Sequence, residues 1–386
     1  MSRRFAPGPW RKVRDFVKNA YQRRRYPERF IQKDSTPYEE IHRDGIMAVR
    51  YYRPLAVDHL YIEGETLVVR QQRYTRPLVL VPPLGVFAWI FDLMIERSLV
   101  RYLLAQGYEV YLIDWGNPKD PPYQGLTLED YVVRWFPAAM QAIRAHSGQR
   151  QLNLMGYCMG GLLALLYLGC GDDRDVTALV TIASPLDARR MGVAGRLSQA
   201  IAAPSAWIRA HTRFRLDQID AERFHVPGKW VSRAFKMTSP LSPFTSYLSM
   251  VRNLADREYI VRYMSMNAWF DNMADYPGGT VQEMLQKLGL ANQLARGSLR
   301  IGQREVDFQR IDCDLLAFAG SSDAIVPMAA AYRIMDLVAS RDKRFYLVPG
   351  GHAGVFAGAS AVHTTWAISA EWLAERSGAL QTEASA

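Results

Sequence analysis

The stretch Leu152-Asn-Leu-Met-Gly156-Tyr157-Cys158-Met159-Gly160-Gly161-Leu162 decides how this sequence folds. Residues 151–155 read as a short strand, and residues 162–168 as an apolar helix. Between them lies Gly-x-Cys-x-Gly, with the cysteine at the centre of the turn. A turn that passes straight from strand to helix crowds the two elements together, and glycines two places before and after its centre remove the side chains that would collide. The central side chain then projects from the sheet's edge at a helix N-terminus, whose partial positive charge favours a thiolate. Cys158 is the candidate nucleophile. The competing reading is a buried structural cysteine in a glycine-rich turn.

Outward from this turn the same rhythm repeats. Residues 46–52 and 60–69 read as short strands, and Pro77-Leu-Val-Leu-Val-Pro82 as a buried one. Gly107-Tyr-Glu-Val-Tyr-Leu-Ile-Asp114 and Ala178-Leu-Val-Thr-Ile-Ala183 are further strands, with helical spacing over about residues 94–106 and 126–145. Strands separated by helices predict βαβ units and a mostly parallel sheet. From 185 to 309 the rhythm breaks into helix-like spacing rich in aromatics and Met, including Trp207, Trp230, Phe235 and Trp269, without a clear strand pattern. That segment reads as a helical insertion capping the sheet, the alternative being a separate helical subdomain remote from any site. Strand signals resume at 311–319 and 344–348, a last helix covers about 361–375, and the tail 377–386 reads as frayed. The expected division is a basic arm (1–43), a first part of the α/β core (44–185), the helical cap insertion (186–309) and a second part of the core (310–386).

A nucleophile on such a turn needs a base and an orienting acid downstream, in the order nucleophile, acid, histidine. Asp323 lies in Gly320-Ser-Ser-Asp-Ala-Ile-Val-Pro327 and His352 in Pro349-Gly-Gly-His-Ala-Gly354. Each loop follows a predicted strand, at the sheet edge where α/β proteins collect their sites. Of seven histidines only His352 sits in such a loop; His363 falls on the last helix, and His42, His59, His146, His211 and His225 have no matching context. An oxyanion would be held by the backbone N–H of Met159 and one from the turn at Leu84, Gly85 or Val86. Pro82-Pro83-Leu84-Gly85 reads equally as a plain tight turn. Asp114 ends a strand nearby and reads more readily as a cap or surface carboxylate than as a catalytic group. Cys170 and Cys313 lie in apolar surroundings that suit core packing. A cysteine that takes an acyl group from a thioester keeps it as a thioester, still activated toward an alcohol, so Cys here suits acyl transfer to a hydroxyl more than simple ester hydrolysis.

Composition sets the outer limits. The chain has 386 residues, 49% hydrophobic and 22% charged, which excludes a disordered or fibrous class. Three scattered cysteines without a CxxC pair exclude a disulfide framework and speak against a metal site, as in a reducing cytosol. The longest apolar run, 78–91, is broken by Pro82, Pro83 and Gly85 and falls short of the roughly 20 residues a bilayer helix needs. With no apolar leader at the N-terminus, a soluble cytoplasmic protein is expected. The net charge of +9 is carried by residues 1–33, where eleven cations face only Asp15 and Glu28. Phe5, Trp10, Phe16, Tyr21, Tyr26 and Phe30 interleave with those cations, as an interfacial segment requires. Such an arm suits an anionic lipid surface or an acidic partner, and reads equally as a plain solvated basic helix. No DNA- or RNA-binding module accompanies it, which argues against nucleic acid.

Four segments together resemble the polyhydroxyalkanoate synthases: Arg97-Ser-Leu-Val-Arg-Tyr-Leu-Leu-Ala-Gln-Gly, Val110-Tyr-Leu-Ile-Asp-Trp-Gly116, Gly156-x-Cys-x-Gly-Gly161 and Pro349-Gly-Gly-His352. The resemblance covers roughly residues 75–375. It implies an α/β-hydrolase-type, mostly parallel sheet with a helical cap insertion. It also implies an acyltransferase that polymerises (R)-3-hydroxyacyl-CoA into polyhydroxyalkanoate, with coenzyme A released and no cofactor beyond the thioester substrate. Cys158 would carry the growing polyester chain, His352 would deprotonate the thiol, and Asp323 would assist the histidine or activate the incoming hydroxyl. The chain looks like the short catalytic subunit of the family, which works with a second synthase subunit or as a homodimer at polyester granules. The loop Pro82-Pro83-Leu84-Gly85-Val86-Phe87 departs from the asparagine-containing loop of the family. The alternative is a Cys-dependent hydrolase of the same fold: a thioesterase, esterase or polyester depolymerase.

Overall fold

The apolar runs of the sequence assemble, in a computed structural model, into a sheet with helices on both faces. The structure describes residues 9–192, 195–196, 200, 218–237 and 242–382. Arg3, Arg4, Phe5, Trp207 and His211 lie outside the described residues. Among those described, the main sheet has eight strands: β1 (Tyr38–Asp44), β2 (Met47–Tyr52), β3 (Leu78–Val81), β4 (Val110–Asp114), β5 (Leu152–Tyr157), β6 (Val176–Ile182), β7 (Asp314–Gly320) and β8 (Lys343–Val348). Their spatial order is β1-β2-β4-β3-β5-β6-β7-β8. β2 is antiparallel to both its neighbours, and the other pairs are parallel, so the mostly parallel sheet expected from the sequence is the one that forms.

The helices used below are α1 (Pro9–Arg25), α2 (Leu99–Ala105), α3 (Phe136–Ser147), α4 (Met159–Gly169), α5 (Gly228–Met237), α6 (Ser242–Arg252), α7 (Arg257–Asp271) and α8 (Ala367–Ala374). Helices cover both faces of the sheet, which is why its inner strands β3 to β7 are buried at consecutive positions. Successive side chains point to opposite faces. Val79, Val81, Leu154 and Leu179 pack with Phe136 and Ile143 of α3 and Leu163 of α4. Leu78, Leu80, Met155 and Val180 pack on the other face with Leu103 of α2 and Trp372 and Leu373 of α8.

Strand β5 runs through the middle with all six residues buried. Its register sets Gly156 beside Val81 of β3 and Thr181 of β6, so these strands end at one level. Gly320 at the end of β7 is likewise beside Val348 of β8. The chain leaving β3, β5, β7 and β8 therefore emerges along a common edge. Over that edge lie α5, α7 and the segment that follows. Trp269 of α7 and Met273 join the core cluster below, and the N–H groups of Thr280 and Asp275 donate to Leu126 O (2.8 Å) and Asn117 Oδ1 (2.9 Å). Among the described residues no helix is long and apolar enough to cross a membrane.

In several places the structure departs from the sequence reading. The sheet begins at Tyr38, inside the expected arm of residues 1–43, because Tyr38–Asp44 pairs with Met47–Tyr52. The helix expected from 94 starts only at Leu99, where Ser98 caps it by accepting the Arg101 N–H at 3.1 Å; Asp92–Met94 and Arg97–Ser98 form a small ribbon instead. The insertion, read as helical, also holds a hairpin of Ser298–Ile301 with Arg304–Asp307, whose Leu299, Ile301 and Val306 point inward with period two. The tail does not fray at Ser377, which is buried and accepts the Asn153 side-chain amide at 2.9 Å; Leu380–Thr382 pairs with Gln72–Tyr74.

Candidate active site

The turn between β5 and α4 holds Cys158 at φ 51° and ψ −120°, a conformation that residues with a Cβ seldom adopt and that persists only where the surroundings enforce it. Here the Cys158 N–H donates to Ile182 O at 2.7 Å, and the Cys158 carbonyl accepts the Leu162 N–H at 3.3 Å. Three glycines make the crossing possible. A Cβ on Gly156 would stand 2.4 Å from the Gly161 Cα, one on Gly160 2.0 Å from Val81 O, and one on Gly161 2.1 Å from Ser184 Oγ. Backbone atoms at two of these contacts cannot yield, so the Gly-x-Cys-x-Gly-Gly spacing is a steric requirement of the turn. Cys158 remains partly exposed.

Asp323 and His352 come from the loops after β7 and β8, and the structure brings them together. The His352 Nδ1 donates to Asp323 Oδ2 at 2.8 Å, with both side chains almost wholly buried. The other oxygen, Asp323 Oδ1, accepts the N–H groups of Ile325 and Val326 at 2.9 and 2.8 Å, which orients the carboxylate. Burial alone would lower the affinity of His352 for its proton. Burial is the largest single influence, but the charge of Cys158 and the side-chain hydrogen bonds to Asp323 and Cys158 together outweigh it, and the imidazole is lifted to about 10. Cys158, His352 and Asp323 thus form a connected line, with the imidazole between the sulfur and the carboxylate.

The sequence-predicted oxyanion residues lie around the same turn. Met159 opens α4, where the first N–H groups have no partner within the helix. Leu84 is buried in the cluster against which Cys158 packs. Gly85 has φ +72°, and a Cβ there would lie 2.3 Å from the Tyr276 ring. The Trp115 indole N–H donates to Pro82 O at 2.9 Å and so fixes the start of this loop. Asp114 is engaged elsewhere: it takes Arg50 at 2.5 Å and the Gly116 N–H at 3.0 Å, while Arg50 also binds Asp34 at 2.7 Å. Its role is structural.

Four residues were not singled out for the site by sequence reasoning. Tyr157 donates its hydroxyl to the His352 carbonyl at 3.0 Å and stacks on Phe356, steadying the histidine loop. Phe235 of α5 lies 6.0 Å from the His352 ring. Tyr276 covers Gly85, and burial, then the Cys158 charge, pushes its phenol upward. Trp115 is the fourth, and only its place at a strand end hinted at it. The remaining described thiols are elsewhere: burial raises Cys170, and raises Cys313 to about 12. His146 pairs with Tyr111 at 2.8 Å and His225 with Asp275 at 2.9 Å. A cavity of about 600 Å³ opens beside His352, lined by Phe235, Met266 and Phe270 of the cap together with Arg97 and Arg262.

Residues 77–359 match the family model of the alpha/beta hydrolase fold. In sequence the chain is similar to the poly(3-hydroxyalkanoate) polymerase subunit PhaC of Haloferax mediterranei, 28% identical over 349 residues, which is 90% of this chain and 65% of that one. The subunit of the same name from Haloarcula marismortui is 30% identical over 302 residues, 78% of this chain and 61% of the relative. The one from Thiocystis violacea is 28% identical over 302 residues, 78% and 81%. The chain thus spans less than two thirds of the length of the first two. A family match across most of the chain, with the strained cysteine turn in the middle of its sheet, makes this protein a member of the alpha/beta hydrolase fold family, and the members it resembles in sequence are the poly(3-hydroxyalkanoate) polymerases.

Proposed function

We propose that this protein is an acyltransferase that joins (R)-3-hydroxyacyl groups from coenzyme A thioesters into a polyester and releases coenzyme A. The observation that carries the reading is a cysteine, in place of a serine, on the strained turn beside the His352–Asp323 pair. Similarity to polymerase subunits supplies the substrate class.

His352 takes the proton of the Cys158 thiol, and the thiolate attacks the thioester carbonyl. The oxyanion is met by the Met159 N–H and an N–H of the Leu84–Gly85 turn. Collapse of this intermediate breaks the bond to coenzyme A, whose sulfur receives the proton from His352. The acyl group then rests on Cys158 as a thioester, close in energy to the one just broken. The hydroxyl of a second hydroxyacyl group attacks that thioester, giving its proton to His352. One ester bond forms, the bond between the Cys158 sulfur and the acyl group breaks, and the proton on His352 returns to the sulfur. Asp323 keeps the imidazole oriented and its charge compensated throughout. The relatives are named as subunits, which supports a second synthase subunit as partner, and no group beyond the thioester is required.

Incubating the purified protein with 3-hydroxybutyryl-CoA, and following free thiol and insoluble polyester together, tests this reading. Coenzyme A released in step with polymer is the expected result. Coenzyme A released with free hydroxy acid and no polymer would instead assign the same residues to a Cys-dependent hydrolase.

A further inference from the structure

The basic arm is absorbed by none of this chemistry, and its structure has an unusual polarity. Helix α1 turns its apolar stripe outward. Trp10, Val13, Val17 and Tyr21, spaced by three or four residues and so on one face, are 86%, 57%, 60% and 64% exposed. The contacts with the body come from polar or small residues, Phe16 beside them being 41% exposed. Asn19 is buried and donates its side-chain amide to Leu254 O at 2.9 Å, Gln22 Oε1 accepts from Arg257 at 2.9 Å, and Ala20 packs on Phe30, Met250 and Leu254. A helix that only served the fold would show the reverse pattern. Arg11, Lys12, Arg14, Lys18, Arg23, Arg24 and Arg25 stand on the same helix against the single acid Asp15, on a chain that is formally neutral beyond residue 33.

We infer that α1 is a docking helix for an anionic lipid surface. Its occupant is decided by charge and shape together. An apolar row of one Trp, two Val and one Tyr enters the boundary between headgroups and acyl chains, while flanking Arg and Lys side chains reach the phosphates. An acidic protein would need the cations but not the row between them. Phe30 does not belong to this surface, contrary to the sequence reading of the arm: it is fully buried beside Met250 and Ile260, with Arg257 over its ring. Gln32 N–H likewise donates to Ser265 Oγ at 2.8 Å, so deleting residues 1–33 would damage the body, and point changes on the outer face are the proper test.

The full-length protein is sedimented with vesicles of phosphatidylcholine alone or mixed with phosphatidylglycerol. Binding to the anionic vesicles is expected to exceed binding to the neutral ones and to fall as salt shortens the screening length below about 10 Å. Each cation near an anionic surface is worth about 1 kcal/mol, so Arg11→Gln with Arg14→Gln and Lys18→Gln should lower partitioning roughly a hundredfold. Trp10→Ser with Val17→Ser should lower it at least tenfold at unchanged charge, with far-UV circular dichroism and thioester turnover on soluble substrate unaltered. Equal binding to neutral and anionic vesicles would overturn the inference. So would an unchanged affinity of the Trp10 and Val17 variant, or retention on immobilised polyglutamate that matches vesicle binding and ignores that variant, since either would leave only a charge contact with an acidic protein.

Discussion

His352 carries two opposed influences. Burial, the largest single influence, disfavours its charge, and the charge of Cys158 together with the 2.8 Å hydrogen bond to Asp323 favours it by more in sum. Removing Cys158 should therefore leave burial less opposed. In Cys158→Ala the imidazole is expected to titrate clearly below the value of about 10 that it holds in the parent protein, followed by the NMR shift of its ring protons against pH. An unchanged titration would mean that Asp323 alone sets the protonation state, and that the thiol is not coupled to the histidine. Asp323→Asn should lower it as well, through loss of the charged acceptor at Nδ1.

The element that decides the site is the crossing of β5 into α4, and its tolerance is steric. Gly160→Ala places a methyl 2.0 Å from the Val81 carbonyl, which is strand backbone, so α4 and β3 must part. A loss of about 3 kcal/mol or more in chemical denaturation, or failure to fold, is expected. Gly354→Ala is the control: nothing lies within 4 Å of its added methyl, and stability should stay within about 0.5 kcal/mol. This element was legible in the sequence because its reason is local: glycine spacing, an apolar run before and an apolar helix after. The loops of Asp323 and His352 were legible for the same cause, each following a strand signal. What could not be read is long-range or hidden by a stronger pattern. Tyr276 meets Gly85 from the far side of the insertion, and nothing near either residue announces the contact. The hairpin Ser298–Ile301 with Arg304–Asp307 is only four residues a side, in a segment whose aromatics favour a helical reading. Ser98 is a cap concealed by helix-like spacing that continues across it over about residues 94–106.

Across the whole molecule, parallel strands ending at one level bring distant loops to a shared edge, and the cap closes over it. The ion pair assembled there has a consequence for stability. His352 is held above its ordinary 6.5, so the folded state binds its proton more tightly than the unfolded chain does. That stabilisation is complete below about pH 6.5 and is lost as pH rises through about 10. Denaturation midpoints should accordingly fall over this alkaline window, and fall less in Cys158→Ala, where the shift is smaller. The proposal that Cys158 is the covalent carrier of the acyl group is tested most directly by intact-protein and peptide mass spectrometry after brief mixing with 3-hydroxybutyryl-CoA and acid quenching. The expected result is a hydroxyacyl adduct confined to the peptide that contains Cys158, present in the parent protein and absent from Cys158→Ala. An adduct on Cys170, Cys313 or any other residue, or turnover of the thioester by Cys158→Ala at the parent rate, would contradict it.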